Sequence, residues 1–519
     1  MSLPEKLCSR SVMTVKGTAE KLLRVRLTAS GSAAGKPSTA SASPKKCLAE
    51  GVVRARNPHV FAYTLRFLCS GGHRQTPARY VFQRFPRCFL LVSLIALLTL
   101  PALASAQLRI EIVDGVEGAM PIAVAPFAWD SDMPEPATSV SEIISANLHR
   151  SGLFDPMDEA QMIERPTRPP EVGFGAWRLL KVDHLVIGRV TDAPDGIGYE
   201  IEYHLLDVHT GRILLSQALP VAAGDLRFGA HRVTDAVYER LIGVPGAFAT
   251  RIAYVVVTDQ DGDDELFELV IADADGHNPQ AIVRNTQPIL SPSWSPDGRQ
   301  LAYVSFATGR SHVIVQDLYT GQNRTVSSDR GINGAPAFSP DGRKLAVSLS
   351  RAGSPDIWVI DLENDRREQL THHWSISTEP AWSPDGSRIF FTSDRAGRPQ
   401  IYSMRSDGSD MQRETHEGRY NARPSFGLDD RHLVVVWSDG DNDFRIAIHD
   451  RETERLRVLS DGRLDESPSF APNGSMVLYA ARENGRGVLA AVSADGRVRQ
   501  RLVLSEGDVR EPAWSPIIR

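Results

Sequence analysis

One short phrase is written six times between Pro292 and Trp514, each copy starting 44 residues after the one before. The copies are Pro292-Ser-Trp-Ser-Pro-Asp-Gly298, Pro336-Ala-Phe-Ser-Pro-Asp-Gly342, Pro380-Ala-Trp-Ser-Pro-Asp-Gly386, Pro424-Ser-Phe-Gly-Leu-Asp-Asp430, Pro468-Ser-Phe-Ala-Pro-Asn-Gly474 and Pro512-Ala-Trp-Ser-Pro516. A fixed period of about 40–50 residues marks stacked four-stranded units, none of which can bury its faces alone. In Ser295-Pro296-Asp297-Gly298 the proline presets φ and the glycine takes the left-handed position that closes a hairpin. β-rich runs follow each turn, such as Leu301–Val304 and Ile389–Thr392, then third strands such as Ile357–Ile360. Repeat four carries Gly427-Leu-Asp-Asp430 in place of the turn residues, which predicts an irregular hairpin.

The ends of the array set the blade count. Three strands precede the first phrase (Ile252–Val257, Leu266–Ile271 and Gln280–Val283), and a single strand follows the last. Together they make one composite blade. The expectation is an all-β six-bladed propeller over 246–519, built of 44-residue repeats and closed by the C-terminal strand, which removes exposed sheet edges. The aromatics Trp294, Phe338, Trp382, Phe426, Phe470 and Trp514 recur at one repeat position and are expected to pack between blades.

Residues 107–245 lack the phrase and read as a small α/β domain. Pro121–Phe127 has the character of a buried strand, and Ser139–Arg150 places Val140, Ile143, Ile144 and Leu148 at helical spacing. Leu185–Val190 and Tyr199–Leu206 read as strands, the second turning at His209-Thr-Gly211 into Arg212–Leu215. Asp225–Ile242 reads as a second amphipathic helix, and Gly243-Val-Pro-Gly246 as a linker.

Upstream, Arg84 and Arg87 precede the apolar run Cys88–Leu100, and Ala104-Ser-Ala106 follows it. A basic n-region, a short apolar core and an A-x-A site specify a secretory signal peptide over 81–106, cleaved between Ala106 and Gln107. The run falls short of about 20 residues and ends at Pro101, so it is not expected to remain as a membrane span. Residues 1–80 form a basic, Ser/Ala/Gly-rich extension, expected to be disordered or to lie upstream of a true start at Val81. All four cysteines (Cys8, Cys47, Cys69 and Cys88) precede the cleavage point, so the mature chain is expected to have no disulfide.

The leader 1–106 holds 16 of the 58 Lys and Arg but only 3 of the 64 Asp and Glu. Residues 107–519 therefore carry 42 basic and 61 acidic side chains, a formal charge of −19. A field of that sign argues against nucleic acid and against docking on anionic lipid. No G-x-S-x-G, H-E-x-x-H, phosphate-binding glycine loop or C-x-x-C is present, so no catalytic residue, cofactor or metal is assigned. The acidic run Asp259–Glu265 misplaces its glycine for an EF-hand and reads as a charged hairpin tip. His372-His373 lacks a third ligand and reads as a surface pair. What remains is the mouth of the central channel, ringed by the residues just before each repeated proline: Leu290-Ser291, Gly334-Ala335, Thr378-Glu379, Ala422-Arg423, Glu466-Ser467 and Arg510-Glu511. These differ from blade to blade on a repeated frame, as a binding face does.

Signal peptide, α/β domain and six P-x-[WF]-S-P-D-G blades together resemble the TolB family, periplasmic components of Tol-Pal systems. The resemblance covers 107–519 and extends to Leu108–Ile112, Gly115-Val116, Asn333–Pro336, Thr378–Pro380, Thr392–Gln400 and Leu464–Glu466. It implies a non-enzymatic periplasmic adaptor that supports outer-membrane integrity and constriction at cell division. The implied partners are the peptidoglycan-associated lipoprotein Pal, at the propeller mouth, and TolA, at the N-terminal segment. Carried onto this chain, the Pal face comprises Ser291, Asn333, Gly334, Ala335, Thr378, Glu379, Arg423 and Glu466. The TolA segment comprises Arg109, Ile110, Ile112, Gly115 and Val116. One departure is Ile332, which stands beside Asn333-Gly334-Ala335 where the best-known relative has a histidine.

Overall fold

The computed structural model describes residues 118–517, except 195, 261–263, 352, 441–442 and 504–506, and the backbone of the strands Ala49–Gly51, Leu65–Phe67 and Arg109–Asp114. The chain divides into the units Met1–Leu100 and Pro101–Arg519. In the first, Ala49–Gly51 pairs antiparallel with Leu65–Phe67. The rest of the extension and the signal peptide expected over 81–106 lie outside the described residues. Among the described residues no helix is long and apolar enough to cross a membrane.

In the second unit a mixed sheet runs in the order Phe154–Pro156, Met120–Val124, His184–Asp192, Tyr199–Asp207, Ile213–Val221, with Ala128–Asp130 also pairing onto His184–Asp192. Alternation along the strands divides its two faces. Ile122, Val124, Ile201 and Leu205 pack under the helices α1 (Val140–Arg150) and α3 (Leu226–Ile242). Ala123, Leu185, Ile187 and Leu206 pack under Trp177 of the short helix α2 (Phe174–Leu179). α1 begins with a capping box: the Glu142 N–H donates to Ser139 Oγ at 3.2 Å, and Ser139 N–H donates to Glu142 Oε2 at 2.9 Å. α3 ends on Gly243 at φ 86°, a conformation that costs glycine little. The linker that follows is tied down. Asp235 of α3 accepts the N–H groups of Phe248 and Ala249 at 2.8 and 3.0 Å.

Six four-stranded antiparallel sheets follow. Blades one to five span 289–327, 333–369, 377–413, 420–458 and 466–503. In the sixth, Asp508–Trp514 pairs with Arg251–Gln260, which continues into Asp264–Asp273 and Gln280–Asn285. In that hairpin Asp259 stands opposite Glu265 and Gln260 opposite Asp264, while residues 261–263 of the acidic run lie outside the described residues. The repeated turns close as their composition requires: Gly298 N–H donates to the Ser295 carbonyl at 2.9 Å, and Gln300 N–H to Ser295 Oγ at 2.8 Å. Repeat four replaces this with bends over 428–430, yet its strands Tyr420–Phe426 and His432–Ser438 pair in the common pattern. The recurrent aromatics do pack between blades. Trp294 joins a core cluster with Val255, Leu269 and Ala513 of blade six, and its Nε1 donates to the Ala513 carbonyl at 3.1 Å. Trp382 donates likewise to Ala337 of blade two at 3.1 Å.

The N-terminal strand Arg109–Asp114 does not join the α/β sheet. It adds as a fifth, antiparallel strand to the outer edge of blade five, placing Arg109 opposite Val503, Ile110 opposite Leu502 and Ile112 opposite Gln500. A bulge shifts the register between Ile112 and Asp114, beyond which Asp114 pairs with Arg499. An otherwise open propeller edge is thus covered by a segment far away in sequence.

Candidate functional site at the propeller mouth

The six residues that precede the repeated prolines share an unusual backbone. Ser291, Ala335, Glu379, Arg423, Ser467 and Glu511 all have φ between 46° and 55°. A non-glycine residue held there costs on the order of 1–3 kcal/mol and marks a position fixed by its surroundings. In blades one to five the ladder shifts register at the same point, between Leu290 and Ser293 in blade one and between Ala422 and Ser425 in blade four. Each innermost strand therefore carries a bulge at the channel, a device that re-aims side chains beside sites. The six strands enclose a channel cavity of about 360 Å³.

At its mouth the ring residues bond to one another. The Arg423 guanidinium donates to both oxygens of Glu511, at 2.9 and 3.0 Å, and through Nε to Glu379 Oε1 at 3.0 Å. It also reaches Ser467 Oγ. Glu379 is held further by the Thr392 hydroxyl at 2.8 Å, and Glu511 accepts Ser291 N–H at 3.3 Å. One cation thus laces blades three, four, five and six, with blade one attached through Ser291. Burial opposes the charge on Arg423, but Glu511 and Glu379 outweigh it and hold its pKa above the ordinary value. Burial pushes the Glu511 carboxyl up, and Arg423 more than offsets it, so the group stays ionised below the usual range.

Around this strut lies an apolar arc. Ile332, Ile376 and Leu464 occupy one repeat position, four before the proline, and are 52%, 46% and 46% exposed. Tyr420 holds the same position in blade four, its ring edge-on to Phe444 at 5.0 Å. Trp374 is 81% exposed, its indole 5.1 Å from the His373 ring. The predicted histidine pair is thereby placed in this loop, with His373 Nδ1 bonded to Ser375 Oγ at 2.7 Å. Side chains this apolar clustered on one face are the mark of an interaction surface. Beside the arc, Tyr420, Phe444, Leu464, Arg423, Glu466 and Arg510 line a cavity of about 310 Å³ between blades four, five and six.

The residues expected at the Pal face divide into three groups. Glu466 is exposed, and Gly334, Ala335 and Thr378 are half-buried at the rim. Ser291, Glu379 and Arg423 belong to the strut, so their polar atoms are largely spent within the chain. Asn333 is fully buried; its Oδ1 accepts Ser327 Oγ at 2.6 Å and Asp329 N–H at 2.9 Å, and its Nδ2 donates to the Asp329 carbonyl at 2.7 Å. It shapes the loop that presents Ile332. Of the TolA segment, Arg109, Ile110 and Ile112 lie in the docked strand, and Gly115 and Val116 lie outside the described residues. Sequence reasoning took the two positions before each proline and missed the position four before it. The signal available was the apolar series Ile332, Ile376, Tyr420, Leu464 on four successive blades.

Asp465 yields a testable consequence. It is 1% exposed, and neither carboxylate oxygen has a hydrogen bond of good geometry, although Ser460 and Gly462 lie near. Burial pushes its pKa up to about 6. The unfolded value is about 3.9, so between pH 4 and pH 6 the folded chain holds a proton that the unfolded chain has released. Stability from this group therefore falls as pH rises through that window. Asn333 and Asn421 fill the same repeat position in blades two and four. Asp465→Asn is expected to raise stability at pH 7.5 by about 1–3 kcal/mol, measured by urea unfolding, and to flatten the profile between about pH 4 and 6.

Fold and site define a class: a small α/β domain joined to a six-bladed propeller whose strutted channel mouth presents an apolar surface. The TolB amino-terminal domain family matches residues 108–214, and the TolB beta propeller domain family matches residues 238–518. The Tol-Pal system protein TolB of Thioalkalivibrio sulfidiphilus is 62% identical over 421 residues, covering 81% of this chain and 96% of that protein. The protein of the same name from Xanthomonas oryzae pv. oryzae is 57% identical over 425 residues, with the same coverage. The crystal structure of TolB from Acinetobacter baumannii superposes with a TM-score of 0.73 at 37% identity, covering 79% of this chain and 100% of that one. The chain belongs to the TolB family of Tol-Pal system proteins.

Proposed function

We propose that this chain is a non-enzymatic periplasmic adaptor that binds Pal at the propeller mouth and TolA through its N-terminal segment. The observation that carries the first contact is the apolar arc around a mouth laced together by Arg423. A protein partner needs a broad apolar surface with a polar rim. The second contact is supported by the strand Arg109–Asp114, which is extended and paired onto the outer edge of blade five. Such a strand can exchange its present edge for the edge of another sheet. Bound to blade five it is withheld, and released it is available. Pal binding shifts that balance only to the extent that the two states differ in affinity for Pal.

Two titrations test the reading. The soluble domain of the organism's own Pal is expected to bind the purified chain saturably. The soluble part of TolA is expected to bind the wild type and to lose binding when residues 109–114 are deleted, with Pal binding kept. TolA binding that survives the deletion contradicts the second contact. Glu379 is a poor site for a disrupting control because it holds the strut; Trp374 and Ile376 are the informative positions.

A further inference from the structure

Between the α/β domain and blades five and six lies a cavity of about 240 Å³. Leu153 and Tyr238 line it from one domain, Met476, Leu478 and Leu502 from the other, and Phe248 from the segment between them. Polar side chains reach it too, and nearly all are satisfied within the chain. Ser151 Oγ donates to the Leu148 carbonyl at 2.6 Å, and Trp514 Nε1 to Thr250 Oγ1 at 2.8 Å. Asn473 donates to the Pro245 carbonyl at 2.9 Å and accepts from Ser475 Oγ at 2.7 Å. Asp495 accepts Ser493 Oγ at 2.5 Å and the Arg497 N–H at 3.0 Å, and Gln500 gives its amide to the Arg150 carbonyl.

The Arg150 side chain is the exception. Among the described residues its guanidinium makes no hydrogen bond or ion pair. It lies over the Phe248 ring, 5.2 Å from the centroid, and its Nε is buried without a partner. Asp275, Asp235 and Asp273 answer its charge from beyond ion-pair distance, Asp275 most strongly, while their direct partners are others: Asp275 pairs with Arg227, Asp235 holds the linker N–H groups and Asp273 accepts from Asn278. An unpaired guanidinium at the wall of an apolar cavity is costly as it stands, and a carboxylate meets it in a bidentate, charge-assisted pair.

We infer that this interdomain cavity binds a small amphiphilic carboxylate, its apolar body among Leu153, Phe248, Met476 and Leu502 and its carboxylate on Arg150. The site borders the N-terminal strand, since Gln500 and Leu502 line the cavity and stand opposite Ile112 and Ile110. It is separate from the mouth and independent of any partner there.

Octanoate titrated calorimetrically into the full chain tests this, with octanol as the uncharged comparison. Octanoate is expected to bind saturably and about tenfold tighter than octanol, the difference one charge-assisted pair supplies. Arg150→Met keeps the apolar stem and is expected to abolish that difference. Ala491→Phe, which fills the cavity from the propeller side, is expected to remove binding of both. Thermal shifts of the wild type with the two ligands give the same comparison if a variant fails to fold. No saturable octanoate binding, octanol bound as tightly as octanoate, or octanoate binding unchanged in Arg150→Met would each overturn the assignment.

Discussion

Arg423→Met is expected to lower the unfolding free energy by about 3 kcal/mol at pH 7.5, measured by urea denaturation. That is the low end of the cost of breaking a buried ion pair, chosen because Arg423 and Glu379 keep 29% and 25% of their side-chain surface while Glu511 keeps 10%. The loss comes from what is left behind. Glu511 would remain buried with Ser291 N–H as its one remaining partner, and Glu379 would keep Thr392 and the backbone N–H of residue 423. The pH dependence identifies the mechanism. In the wild type the Glu511 carboxyl is held below its usual range, so the strut's contribution is present above about pH 4.3 and is lost as pH falls further. Without Arg423, burial raises that pKa, the folded variant takes up a proton first, and its deficit shrinks between pH 7 and pH 5. Arg423→Met combined with Glu511→Gln is expected to recover most of the loss. A variant with wild-type stability would show that the strut is ornamental and that the ring is held by its backbone alone.

Trp374→Ala with Ile376→Asp is expected to weaken Pal binding by about a hundredfold or more while leaving the unfolding midpoint unchanged. The two side chains are 81% and 46% exposed, so the free protein gains little from them. An exposed indole beside a rigid scaffold is the residue type that dominates interface energies, with truncation commonly costing 2–4 kcal/mol. The aspartate adds the burial of an unpaired charge. The effect should fall on dissociation; association is governed by the overall charge, which one added aspartate changes little against the −19 of residues 107–519. Ile332→Asp, on the neighbouring blade, should act in the same direction more weakly.

Much of the architecture was legible because it repeats. A phrase recurring every 44 residues, three strands without it and one strand after it specified six blades and the composite pairing. Helical spacing located α1 and α3, whereas α2 spans six residues and leaves too few periods to register. The ring before each proline was found, but its chemistry was not. Spacing cannot show that Arg423 reaches Glu511 two blades away, or that Asn333 points into its own loop and not toward a partner. The apolar arc was written in Ile332, Ile376 and Leu464, each an isolated residue in its own loop, and only the closed ring brings them to one face. The docking of Arg109–Asp114 was beyond reach for another reason. Its segment reads as a strand wherever it pairs, and the edge it covers lies at 499–503.

Calorimetric titration of the soluble Pal domain into the wild type and into Trp374→Ala/Ile376→Asp, side by side, tests the central claim most directly. One saturable site is expected on the wild type, and its loss in a variant that unfolds at the same midpoint. A well-folded wild type that gives no binding heat, or a variant that binds as tightly as the wild type, would contradict the assignment of the mouth as the docking face.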